Sequence, residues 1–116
     1  MSDLLFIYGT LHPERAPSAI AAAARRLRPV GAGTIHGRLL DLGEYPGVVL
    51  EETEGSEVSG EVFEVPDAET LARLDAYEDY RPAEPEASLF LRMETEVAMS
   101  DGTRRSCWVY LYNGVI

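Results

Sequence analysis

Apolar positions along the chain change period several times, and each change marks an element. Residues 4–8, "LLFIY", are apolar or aromatic without a break, which suits a central strand covered on both faces. Ile20, Ala24 and Leu27 then recur at helical spacing behind Pro17. They predict a short, alanine-rich helix ending before Gly31, with Arg25, Arg26 and Arg28 near the negative end of its dipole. Between 31 and 65 the pattern is strand-like: "TIHGRLLDLG", "YPGVVLEE" and "VSGEVFEV", separated by Gly, Pro and acidic turns. The acidic residues of 51–57 read as a solvated loop. A second helix is expected from residue 68 to 77 or 78, with Asp67 as its N-cap after Pro66.

From 89 to 99 the alternation is regular. Leu89, Leu91, Met93, Thr95, Val97 and Met99 share one face; Phe90, Arg92, Glu94 and Glu96 share the other, which reads as charged and solvated. Asp101-Gly102 signals a two-residue hairpin, and "CWVYLY" at 107–112 returns as a strand apolar on both faces. The order β-α-β-β-β-α-β-β predicts one α+β domain over residues 1–116. Its sheet is expected to be small, mixed and strongly curved or barrel-like, with two flanking helices.

Composition narrows the function classes. The chain of 116 residues is 46% hydrophobic and 26% charged, as expected of a chain with a packed core. Its net charge is −10 and every cationic side chain is an arginine. That balance argues against a phosphate-tracking nucleic-acid surface or an anionic-membrane surface, and favours a small organic substrate or a protein partner. No apolar run is long enough to span a bilayer. The lone Cys107 and the absence of a basic leader before the apolar start are read as marks of a reducing, cytoplasmic setting. Two histidines and one cysteine leave no zinc set and no Cys-His pair. Carboxylates, phenols and backbone amides remain as reactive candidates.

Position selects among them. Leu71, Leu74 and Glu78 stand at i, i+3 and i+7 of the second helix, so Glu78 falls on the inward stripe. Either a carboxyl occupies a core position, where burial raises its pKa into the range useful for proton transfer, or the helix has frayed and the side chain turns into water. Asp75 and Asp79 flank the stripe and read as solvent-facing or capping groups. At the end of the first strand, Tyr8, Gly9, Thr10 and Leu11 are either a plain turn or a cradle of amides and hydroxyls that a ligand approaches closely.

Four segments in order resemble the gamma-glutamylcyclotransferase-like family, especially its gamma-glutamylamine cyclotransferase branch. "FIYGTL" resembles the N-terminal Tyr-Gly-(Ser/Thr)-Leu motif, and "GRLLDLGEYPGVV" the segment that follows it. "LDAYEDY" resembles the segment with the catalytic glutamate, and "CWVYLYNG" the closing strand. The resemblance implies a small mixed barrel that releases 5-oxoproline from a small-molecule gamma-glutamyl substrate. It makes Glu78 the acid-base residue and Tyr8, Gly9, Thr10 and Leu11 the loop holding the gamma-glutamyl group. The sequence departs from relatives after the glutamate: Asp79 stands where they often carry glycine, and Phe90 rather than tyrosine precedes Arg92 by two residues.

The chemistry suits those residues. The substrate's own α-amine attacks its side-chain carbonyl, so the protein has to orient a tethered pair, take a proton from the amine before attack and give one to the leaving amine. Neither metal nor cofactor is required, and the loop amides are equally suited to the substrate carboxylate or the carbonyl oxyanion. Arg38 is a candidate for holding a carboxylate, and Tyr45 and Tyr110 for lining the pocket; each also has a plain surface or core reading. Arg92 reads as a surface pair, His12 as a turn residue, and Cys107 and Trp108 as core. A module that binds glutamyl-like metabolites without turnover is the competing expectation, and the oligomeric state is left open.

Overall fold

A computed structural model describes residues 3–8, 18, 20–41, 46–50 and 56–113. The elements are β1 (Asp3–Ile7), α1 (Ala21–Ala24), β2 (Arg28–Asp41), β3 (Pro46–Leu50), β4 (Glu57–Val65), α2 (Ala68–Tyr77), β5 (Phe90–Met99) and β6 (Arg104–Tyr112). Strand order is β3-β2-β4-β1-β6-β5, and β2 also pairs with β5 at Gly33↔Met99 and Thr34↔Ala98. That last ladder closes five strands into a barrel, with β3 attached outside the ring on β2. The sheet is mixed because β1 runs parallel to β6 and antiparallel to β4.

Alternation along each strand divides the core in two. Phe6, Ile35, Val62, Val97 and Val109 fill the barrel, with Tyr8 packed against them. Leu5, Ile7, Phe63, Val65 and Tyr110 point out of it and are covered by Ile20, Ala23 and Leu27 around α1 and by Leu71 and Leu74 of α2. Both faces of β1 are therefore covered, which explains its unbroken apolar run. Gly60 permits the close approach this requires. A Cβ there would meet Ile7 O at 2.5 Å and Phe6 Cζ at 2.6 Å, so only glycine lets Phe6 occupy the barrel interior.

Three local expectations are corrected. Helix α1 is only four residues long, and β2 has already begun at Arg28, paired with Glu64. Pro29 explains the second point: it pushes the residue before it towards an extended conformation, so β2 begins at Arg28. The hairpin is not a two-residue turn either. Gly102 N donates to Met99 O, Met99 N donates to Thr103 O, and Gly102 adopts φ +91°. Asp101 Oδ1 accepts from both the backbone N and the Oγ1 of Thr103, so the Asp serves the loop as an acceptor. Third, the supposedly solvated face of β5 is covered at its first half: Phe90 is 4% exposed beneath the outer core. Met93, on the apolar parity, is 47% exposed because the barrel no longer covers it there. Among the described residues no helix is long and apolar enough to cross a membrane.

Candidate active site

The end of α2 sets the site. Asp67 caps its start by accepting from Thr70 N at 2.8 Å. At the other end Tyr80 N donates to Asp75 O and Asp79 N donates to Ala76 O, while Asp79 adopts φ +56°. These two bonds and the left-handed residue form a Schellman termination. Glu78 is thus the C-cap residue, held by Glu78 N donating to Leu74 O, and has not frayed into solvent. The left-handed conformation costs least at glycine, which has no Cβ. Asp79→Gly is accordingly expected to raise stability by about 0.5–1 kcal/mol, read as a higher urea midpoint. The exposed Asp79–Arg81 ion pair at 3.2 Å that would be lost contributes little against this.

Glu78 is half-buried, and burial pushes its carboxyl from 4.5 up to about 7. It lies in electrostatic reach of two phenols. Its charge, added to the larger effect of burial, raises the pKa of Tyr8, and it also contributes to the raised pKa of Tyr110. The phenols do not act in return, because they are neutral throughout the range in which Glu78 titrates. Tyr8 arrives from the residue after β1 and Tyr110 from β6; the Tyr8 hydroxyl donates to the Tyr110 carbonyl at 2.6 Å. The parallel β1–β6 pairing places these two strand ends side by side.

Behind the phenols is a buried polar cluster. The Tyr110 hydroxyl donates to Asp75 Oδ1 at 2.7 Å, and Arg92 Nε lies 2.9 Å from the same oxygen. The Nε–H is not aimed along that line, so Arg92 serves there as a charge and not as an aligned donor. Its guanidinium sits 4.3 Å from the centroid of Trp108 and 5.6 Å from that of Tyr80. The side chains of Arg92 and Asp75 are only 16% and 10% exposed. The readings of Asp75 as solvent-facing and Arg92 as a surface pair are therefore corrected: α2 covers the first half of β5, and each charge is buried against the other.

Among the sequence-based candidates, Tyr8, Tyr110 and Glu78 are brought together. Gly9, Thr10, Leu11, His12 and Tyr45 lie outside the described residues. Arg38 is exposed, on the opposite strand parity from barrel-filling Ile35, and makes no contact with the Glu78 cluster among the described residues. Cys107 is 1% exposed inside the barrel, where burial pushes its thiol up to about 11. That is the inert core thiol expected of it. The described residues contain no group of three or more His, Cys, Asp or Glu arranged to hold a metal.

A closed five-stranded barrel with two helices is a fold shared with several solved proteins. An AIG2-like protein of Mus musculus matches with TM-score 0.77 at 24% identity, over 98% of this chain and 80% of that one. YkqA of Bacillus subtilis matches with TM-score 0.73 at 23% identity, over 97% of this chain and 36% of that one. Residues 5–115 match the family described as "Gamma-glutamyl cyclotransferase, AIG2-like", and the chain belongs to that family. It is also 38% identical over 110 residues to the gamma-L-glutamyl-butirosin B gamma-glutamyl cyclotransferase of Niallia circulans. That similarity takes in 94% of this chain and 66% of the relative's length.

Proposed function

We propose that the protein is a gamma-glutamyl cyclotransferase, releasing 5-oxoproline from a small gamma-glutamyl amine, amide or peptide in the cytoplasm. Glu78 acts as general base and then as general acid. The observation that carries this reading is a half-buried carboxyl raised to about 7 beside Tyr8 and Tyr110. A group of that pKa accepts and returns a proton at neutral pH with little bias either way. The family match supports it, and the Niallia circulans relative, named for a gamma-L-glutamyl-butirosin B substrate, supports a gamma-glutamylated small molecule as the substrate class.

The reaction begins with the substrate α-ammonium beside the Glu78 carboxylate. Glu78 takes one proton, the free amine attacks the γ-carbonyl carbon, and a C–N bond closes the five-membered ring. The proton held by Glu78 then passes to the departing amine as its C–N bond breaks, and the ring nitrogen gives up its second proton through the regenerated Glu78 carboxylate to the released amine, which leaves as its ammonium ion. Tyr8, Gly9, Thr10 and Leu11 hold the glutamyl chain folded, with Tyr45 along the pocket; such orientation supplies several kcal/mol. All the atoms of both products come from the substrate.

Both proton states enter the pH profile. The productive pair is the Glu78 carboxylate with the substrate ammonium, so kcat/KM should rise tenfold per unit up to about 7. It should fall again above about 8, where the substrate amine deprotonates. An acidic limb near 4.5 would contradict the assignment. The reading itself is tested by incubating purified protein with a panel of gamma-glutamyl amines and dipeptides and assaying 5-oxoproline. Saturable binding seen as a thermal shift, without product on long incubation, would identify a binding module instead.

A further inference from the structure

We propose that Asp75 is a positioning residue for Glu78: held by Arg92, it accepts the single hydroxyl proton of Tyr110, so the phenol turns only lone pairs toward Glu78. This inference rests on the reading of Glu78 as the base. Asp75 and Glu78 are three residues apart on α2 and so share a helix face, and Tyr110 lies within the field of both carboxylates. A phenol has one proton to give. At 2.7 Å from Asp75 Oδ1 that proton is committed away from Glu78. Asp75 Oδ1 is the acceptor of that bond, and Arg92 Nε lies 2.9 Å from the same oxygen.

The rest of the surroundings point the same way. From β1, the Tyr8 hydroxyl spends its proton on the Tyr110 carbonyl. From β5, Arg92 is engaged with Asp75 and stacked on Trp108. At the cap, Asp79 is paired with Arg81. Among the described residues, the two phenols whose pKa values respond to Glu78 thus both have their hydroxyl protons committed elsewhere. A donor supplied to the carboxylate would favour its charged form and make it a weaker base. Asp75 withholds the donor of Tyr110, and burial remains the dominant influence on Glu78.

The test is the side-chain carboxyl titration of Glu78, followed by 13C NMR in glutamate-labelled protein and assigned with Glu78→Gln. It is read without substrate, so its outcome is independent of whether turnover is found. Tyr110→Phe should leave the Glu78 midpoint where the wild type has it. A rise of a unit or more in that variant would mean that the phenol had been donating to Glu78, and would overturn the proposal. The double variant Asp75→Ala/Arg92→Met removes both buried charges together and frees the phenol. It should lower the midpoint by about one unit, a tenfold loss of basicity. Adding Tyr110→Phe to the double variant should restore it. A midpoint that stays unchanged in the double variant, or that falls whether or not the phenol is present, would also overturn the proposal. Should the double variant fail to fold, Tyr110→Phe alone decides.

Discussion

Glu78→Gln should reduce 5-oxoproline release by about 10²–10⁴-fold and make the protein more stable at pH 8. Glutamine keeps the size of the side chain but neither takes nor returns a proton, so the loss is expected in kcat more than in KM. The gain in stability follows from the same carboxyl. Its pKa is about 7 in the folded state against 4.5 unperturbed, so between those values the folded chain binds the additional proton. Stability therefore falls as pH rises through that window and levels off above it. The amide has no such cost. Its advantage should be on the order of 1–2 kcal/mol at pH 8, allowing for partial solvent screening, and should vanish at pH 4. Urea unfolding of both proteins at the two pH values measures it. Equal stability at pH 8 would mean that Glu78 is not held against a desolvation cost.

Arg92→Met should have the largest effect on stability, about 3–5 kcal/mol. The variant keeps the apolar bulk against Trp108 but leaves Asp75 buried, with the Tyr110 hydroxyl as its remaining side-chain partner. The penalty comes from an uncompensated charge rather than from the loss of an attraction. Removing Asp75 in the same protein should therefore return much of the loss, and denaturant midpoints of the single and double variants show the difference. A single variant as stable as the wild type would place the pair in solvent and contradict its burial.

These two residues also show what was legible in the sequence. The order of strands, helix α2 with its Asp67 cap, and the inward slot of Glu78 all follow from periodicity, because buried faces impose periods of two and 3.6 that survive in any packing. Closure of the barrel does not. It depends on pairing Gly33 and Thr34 with Met99 and Ala98, a long-range match with no local sign. The burial of Arg92 is hidden for the same reason: it shares a charged strand face with Glu94 and Glu96, and only the placement of α2 over Phe90 separates them. A signal for Asp75 was present. It stands four residues after buried Leu71 and three before Glu78, at the edge of the inward stripe. A charge there already implied a buried partner on another strand, with Arg92 on the parity of Phe90 as a candidate. Alanine spacing carries the expected α1 on to Leu27, whereas Pro29 imposes an extended residue 28 by a steric and local restriction.

The central claim is intramolecular cyclisation assisted by Glu78, and product identity in 18O-water tests it most directly. With a gamma-glutamyl amine as substrate, the wild-type protein should give 5-oxoproline and free amine in equal amounts, with no 18O in the 5-oxoproline. Glutamate carrying one 18O would show attack by water in place of the substrate amine, and would contradict the account.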